Sequence, residues 1–420
     1  MLKNLQTLKT FQTVQTFHLP LVILSLYLLF GAISLISSNI HFDEKEFHLP
    51  TLVTFHNENP INVINSRDYK SASTPLPYLL VSTVLKVFNL LPTLITARLA
   101  NIVLSILCLI IFLKLFGIKG TNIVYPALIL FFYPYFLKPS FAFFMSIYGL
   151  FFFLLFIYFT NKNGSLNKFI SGIFLALAIL SQQFYLIVFF FYMIFLWYND
   201  YHSKKNIFPS KDLILFSIPL IVPLILFYFW GGLTHHNFSA RAVNFRFENL
   251  TSVLIISGSA LFPFLIFKIQ YITRIKLAVI LSISMVLVLF ASPLWVNAPT
   301  VGGISGYTFH SIAIINEYNS ILTFIIKVSL CFLGISSLLL LYKTKGDTNT
   351  RLLYFLFITM IVGFSMSNMP SERHMLPLIA LGYLLAISYD IKVSILRLWL
   401  GIQVIIGSGY FYYIMFVYQG

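Results

Sequence analysis

The segment His41-Phe42-Asp43-Glu44-Lys45-Glu46-Phe47-His48-Leu49-Pro50 holds three acids and two histidines in ten residues. A carboxylate just outside an apolar layer acts as a general base when its pKa and geometry suit. Adjacent carboxylates push one another's pKa upward. Asp43 is the candidate base, and Glu44 the neighbour that tunes it or orients a substrate. Two other readings stand beside this one. The acids could open a helix at a solvated loop start. A metal could be held by His41, Asp43, Glu44 and His48, but that spacing matches no established ligand motif. No metal and no other cofactor is required by the base chemistry.

Four further stretches carry polar side chains in apolar surroundings. Residues 66–80 run into Thr74-Pro75-Leu76-Pro77-Tyr78, where proline forces an extended entry to a helix. Residues 231–249 contain His235, His236, Arg241 and Arg246. Residues 367–378 contain Arg373 and His374 at the mouth of an apolar run. Arginine grips a phosphate through a planar fork of donors, so these cations are candidate phosphate ligands; the bland reading is snorkelling at helix ends. Gln182, between two short apolar runs, either binds a sugar hydroxyl or caps a helix. Lys86 and Lys138 are further cationic candidates.

The elements that must position these groups are membrane helices. Of the 420 residues 59% are hydrophobic and 9% charged, against about 25% charged in soluble domains. Apolar runs near 20 residues recur, each long enough to cross roughly 30 Å of hydrocarbon. The expected fold is an all-α, polytopic bundle forming one integral membrane domain, 1–420. Candidate spans lie at 19–38, 101–117, 123–137, 141–159, 169–180, 184–198, 213–230, 251–267, 277–292, 321–342, 352–366, 375–389 and 397–418, about 13 in all. The first reads as an uncleaved span. Cys108 and Cys331 fall within apolar runs and suggest no disulfide framework.

Basic clusters at 162–168, 204–211, 268–276, 343–351 and 392–397, with the N-terminus, belong in the cytoplasm by the positive-inside rule. They account for the net charge of +15 without a nucleic-acid partner. They share one side only if the short segment 76–91, which carries Lys86, is a re-entrant or interfacial helix. Residues 39–100 then form a first external loop. On the same face lie 138–140, 181–183, 231–250, 293–320 and 371–374. No Asp or Glu falls inside a predicted span, and five of the twelve acids lie between Asp43 and Asp68.

This arrangement resembles the GT-C superfamily of polytopic glycosyltransferases, most closely the dolichyl-phosphate-glucose α-1,2-glucosyltransferases. Asp43-Glu44, Phe47-His48 and Pro50 match that family's Asp-Glu-x-x-Phe-His-x-Pro. Thr74-Pro75 and Tyr78 are similar to its Thr-Pro-rich stretch, and Arg98-Leu99 with Asn101 to its Arg-Phe-Val-Asn. Gln182 falls near its Arg-Gln-Thr-Asn, and Gly231-Gly232 opens a similar loop. Arg373 with Leu376-Pro377 resembles its Arg-Tyr-x-x-Leu-Pro. The sequence departs where the family has Asn-Arg-His before Tyr-Thr-Phe: here Gly303-Ile304-Ser305-Gly306 precedes Tyr307-Thr308-Phe309-His310. The Gln-rich continuation after the first proline is also absent.

The resemblance implies inverting transfer of a hexose, glucose favoured, from a polyprenyl- or dolichyl-phosphate donor to a glycan or lipid-linked acceptor. The face would be lumenal in the endoplasmic reticulum or periplasmic at a bacterial inner membrane. Asp43 would be the base and Glu44 its partner. Arg373, His374, Arg241, His235 and His236 would bind the donor phosphate, and His48, Gln182 and Tyr78 the acceptor or sugar. The partners are therefore the lipid-linked donor, a saccharide acceptor and membrane lipids. The competing class is a multi-pass transporter or lipid flippase, which would more often show midplane charges and internal repeats. A non-catalytic scaffold would not need the acidic cluster.

Overall fold

The computed structural model describes residues 21–22, 24–66, 69, 71–115, 124–162, 164–204, 211–235, 246–291, 307–343, 348–366, 372–386 and 391–417. Lipid offers no partner to backbone N–H and C=O groups, so spanning segments must satisfy them internally. The described residues accordingly fold into helices, with no strand among them. In chain order these are α1 (Leu24–Ile36), a π-helical turn (Glu44–His48), α2 (Leu49–Asn57), α3 (Pro60–Asn65), α4 (Leu76–Val87) and α5 (Leu94–Leu115). Next come α6 (Val124–Phe131), α7 (Pro134–Phe141), α8 (Ser146–Thr160), α9 (Ser165–Ile179), α10 (Leu186–Lys204), α11 (Lys211–Ser217) and α12 (Ile221–Trp230). The last are α13 (Phe247–Leu265), α14 (Arg274–Phe290), α15 (Tyr307–Tyr318), α16 (Ser320–Lys343), α17 (Thr348–Ser365), α18 (Leu376–Ala386) and α19 (Val393–Tyr412).

Among the described residues, five helical stretches are long and apolar enough to cross a membrane: Leu94–Leu115, Lys211–Trp230, Phe247–Leu265, Ser320–Tyr342 and Val393–Val417. The protein is an integral membrane protein, built as an all-α polytopic bundle. Shorter apolar helices pack among the long ones, so the thirteen predicted spans do not appear as thirteen long helices. The clearest difference is at 123–137, predicted as one span. There α6 and α7 have only eight residues each, and α7 meets α8 at 110°. The cause is local. Pro134 lacks an N–H and holds Tyr133 extended (ψ 130°), which ends one helix and starts another. Every residue from Tyr125 to Leu150 is buried. Broken helix at membrane depth is tolerated where protein, not lipid, surrounds it.

The first external loop holds more helix than expected: besides α4, which falls on the expected short helix 76–91, it contains α2, α3 and a π turn. Leu76 and Pro77 open α4, whose twelve residues rise about 18 Å. Helix α2 packs against α4. Helix α5 begins at Leu94, earlier than the span predicted from 101, so Arg98 and Asn101 sit in its first turns. Helices α13 and α16 pack backbone to backbone. A Cβ at Gly258 would collide with the Leu330 carbonyl, and one at Gly334 with the Leu254 carbonyl. Small residues permit such close approach in membrane bundles.

Candidate active site

The acidic motif is helical, and its two adjacent acids have different surroundings. Asp43 has right-handed helical backbone (φ −65°, ψ −33°) and leads into the π turn, where Leu49 N–H reaches back to the Glu44 carbonyl. Such single π turns recur at functional sites. Glu44 and His48 are buried, Lys45 and Glu46 exposed, and Asp43 half-buried.

Glu44 is committed to the protein. Its Oε1 accepts from Arg98 Nε at 3.0 Å and from the Phe143 N–H at 2.6 Å. Its Oε2 accepts from Arg98 Nη2 at 2.8 Å and from the His41 N–H at 3.0 Å. Four bonds fill the acceptor capacity of a carboxylate. The geometry therefore gives Glu44 no open acceptor position for orienting a substrate hydroxyl, one of the two roles expected from sequence. Arg98 is as fully used. Besides Glu44 it donates to the Ser34, Ser37 and Asn39 carbonyls at 2.8, 3.1 and 2.6 Å. Five bonds match its five donors, and several go to the end of α1, where carbonyls lack helical partners.

One helical turn later, Asn101 Nδ2 donates to the carbonyls of Pro139, Ala142 and Phe144 at 3.0, 2.8 and 3.0 Å. The start of α5 thus fixes the acidic motif with Arg98 and the α7–α8 bend with Asn101. The Phe143 N–H joins the two. As a result the Phe144 ring lies 5.1 Å from the His41 ring and 5.5 Å from the His48 ring. Lys138 Nζ sits 5.3 Å from the same ring's centre, with its side chain buried. The Asp43 N–H donates to His41 Nδ1 at 3.3 Å, which makes that nitrogen an acceptor.

The Thr-Pro stretch supplies the next layer. His48 Nδ1 meets Tyr78 Oη at 2.7 Å, and Tyr78 donates to Ser71 Oγ at 2.7 Å. Phe55 stacks on Tyr78 with centroids 5.9 Å apart. Thr74 Oγ1 donates to the Ile179 carbonyl, the Leu76 N–H to that of Leu180, and Gln183 Nε2 to that of Ala72. These bonds stitch the stretch to the end of α9 and bring in Gln182, which is buried. Tyr69 packs against Tyr78, Trp230 and His235. Burial pushes its hydroxyl well above the usual tyrosine range, so it remains a donor, to the Ser73 carbonyl.

The other expected residues fall as follows. His235 is buried and is linked to His48 through two rings, Tyr69 and Tyr78. His374 lies 6.1 Å from the Phe184 ring, beside the Gln182 turn. The turn Glu372–Met375 packs on α7, the helix that carries Lys138. Arg373 belongs to this turn, but its side chain lies outside the described residues, as do Arg241 and His236 altogether. Lys86 is exposed and donates to the Phe55 carbonyl at 3.3 Å. Thr308, from the Tyr-Thr-Phe stretch, bonds Tyr135, one turn from Lys138. Among the described residues, no three His, Cys, Asp or Glu side chains gather to hold a metal ion.

Sequence reasoning reached Arg98 and Asn101 only through the resemblance, and left out Phe143 and Phe144. The signal for the first pair was present: two polar residues three apart at the start of a long apolar helix.

No family model matches the chain, and no curated protein matches it. The chain is similar to the crystal structure of ArnT from Cupriavidus metallidurans bound to undecaprenyl phosphate, at 14% identity and TM-score 0.47, over 88% of this chain and 59% of that one. It is also similar to ArnT from the same organism in the apo state, at 12% identity and TM-score 0.42, over 91% of this chain and 76% of that one.

Proposed function

We propose that the protein is an inverting glycosyltransferase of the GT-C type. It takes a hexose, with glucose favoured by the sequence resemblance, from a polyprenyl- or dolichyl-phosphate donor. It passes the sugar to a glycan or lipid-linked acceptor on the lumenal or periplasmic face. The observation that carries this reading is the contrast within the acidic pair. Glu44 is locked among protein donors, while half-buried Asp43 is its neighbour in the chain and bonds His41 through its N–H, and His41, His48 and Lys138 gather on the Phe144 ring.

In this reading Asp43 takes the proton of an acceptor hydroxyl as that oxygen attacks the anomeric carbon. The bond from that carbon to the phosphate oxygen breaks, and the lipid phosphate leaves with the electron pair. The charge developing on the phosphate needs fixed cations. Lys138, His374 and Arg373 are first in line, because α7 and the 372–375 turn pack together. Arg241, His235 and His236 rank behind them. His48, Tyr78 and Gln182 contact acceptor or sugar. Glu44 is a positioning residue: it holds the backbone that presents Asp43 and does not touch substrate. Helix α4 is re-entrant or interfacial and does not cross, which keeps these loops on one face.

The test is transfer by the purified protein in lipid vesicles, from a glucosyl polyprenyl phosphate to a lipid-linked oligosaccharide. Asp43→Asn should lower turnover by roughly 10²–10⁴-fold while donor binding is retained. Parental turnover in that variant would sink the base assignment.

A further inference from the structure

Four buried polar atoms at or facing the start of α8 lack a protein hydrogen-bond partner, and of their residues only Gln182 has been given a role above. They are Gln182 Oε1, Tyr185 Oη, Tyr148 Oη and Ser146 Oγ. Their side chains are all at least nine-tenths buried, with relative exposures of 5%, 0%, 4% and 2%. Buried polar groups are nearly always paired, and each exception calls for an explanation such as a ligand or a water.

Ser146 and Tyr148 belong to the first turn of α8, and Gln182 and Tyr185 meet that turn at Gly149. Gly149 faces both Gln182 and Tyr185: a methyl group on it would lie 3.2 Å from Gln182 Oε1 and 3.4 Å from Tyr185 Cζ. At about 100° per residue, the direction of Gly149 falls between those of Ser146 and Tyr148, which flank it. Tyr148 is an electrostatic neighbour of Tyr78, the residue bonded to His48. Gln183, next to Gln182, is tied to Ala72 in the stretch before Tyr78. Tyr148 and the turn that carries Gln182 therefore adjoin the layer of Tyr78 and His48.

The chemistry of the set is selective. Three hydroxyls and an amide oxygen are all uncharged, and tyrosine faces offer apolar area to ring C–H groups. No carboxylate stands among them to meet an ammonium and no guanidinium to meet a carboxylate. We propose that Ser146, Tyr148, Gln182 and Tyr185 form a specificity subsite for the hydroxyls of a neutral sugar ring. This rests on the glycosyl-transfer reading, and the same chemistry suits a donor sugar or an acceptor sugar.

The test uses the purified full-length protein in nanodiscs and three probes: a glucosyl polyprenyl phosphate, the same polyprenyl phosphate without sugar, and maltotriose. The variants are Tyr148→Phe, Tyr185→Phe and Gln182→Met, checked by thermal unfolding for a parental fold. Tyrosine-to-phenylalanine changes remove one oxygen and keep the ring, so folding is preserved in at least these two. Each variant should weaken a sugar-bearing probe by about three- to tenfold, the effect of one neutral hydrogen bond. Binding of the bare polyprenyl phosphate should stay unchanged. Loss confined to the glucosyl lipid assigns the subsite to the donor sugar; loss confined to maltotriose assigns it to the acceptor; both support the proposal. If the phenylalanine variants bind every sugar as the parent does, or if the parent binds no sugar, the proposal is overturned. If the parent fails to bind either lipid yet binds maltotriose in a variant-sensitive way, the lipid-donor reading falls and the sugar subsite stands.

Discussion

Asp43 and Glu44 are chemically alike and adjacent, yet substituting them should have opposite outcomes. Glu44→Gln leaves the Arg98 guanidinium buried without its counter-charge, and breaking such a pair typically costs roughly 3–5 kcal/mol. We expect Glu44→Gln to lower the midpoint of thermal unfolding in detergent markedly, and Asp43→Asn to leave it near the parent while abolishing transfer. A stable, well-folded Glu44→Gln protein would contradict the lock. Arg98→Lys should resemble Glu44→Gln, because one ammonium with three donors cannot replace a planar fork with five. The acid pair was legible in sequence, but its division of labour was not. That division depends on Arg98, 54 residues further on, and on the Phe143 N–H, 99 residues further on, and neither contact leaves a local signature.

At the scale of elements, hydropathy identified the membrane helices but not their breaks. Residues 123–137 read as one apolar run because Tyr133 and Pro134 hardly lower its hydrophobicity, whereas proline chemistry splits it into α6 and α7. Likewise α2 went unread in the first loop, where 76–91 alone was expected to be helical, because neighbouring polar residues mask its short apolar stripe. The helix pair α13 and α16 offers a direct test of packing. Gly258→Leu would drive a side chain into the Leu330 carbonyl, and the backbones cannot separate without losing the contacts around Leu254 and Gly334. We expect this variant to give little monodisperse protein on size-exclusion chromatography. Gly401→Leu, at a glycine whose added Cβ would have nothing within 4 Å, should behave as the parent. Equal yields of both would show that the close approach is not required.

At the scale of the whole molecule, the proposed site joins residues from 43 to 374, so their loops must share one face. Cysteines at Asn57 and Tyr318, both exposed, should react with an impermeant thiol reagent from the lumenal or periplasmic side. The background would lack the buried Cys108 and Cys331. A cysteine at Lys162, in a basic loop, should react only after permeabilisation. Labelling of Asn57 and Tyr318 from opposite sides would split the loops assigned to one face, and the single-face site would fail. Charge bias is the sequence signal for this topology, which the labelling tests; the packing of the 372–375 turn on α7 left no such signal, since it is a tertiary contact between distant segments. The Arg98 lock has one more consequence, for biogenesis. Its partners lie at 34–44, 98 and 143, so as the chain emerges from the ribosome Glu44 meets its counter-charge only after α5 is made, and its last donor only once the α7–α8 bend exists. Until then the acidic motif is an unfinished joint, exposed to quality-control proteases. Arrested chains ending after residue 90 should therefore be degraded faster than chains ending after residue 165, a difference that pulse-chase labelling would read directly.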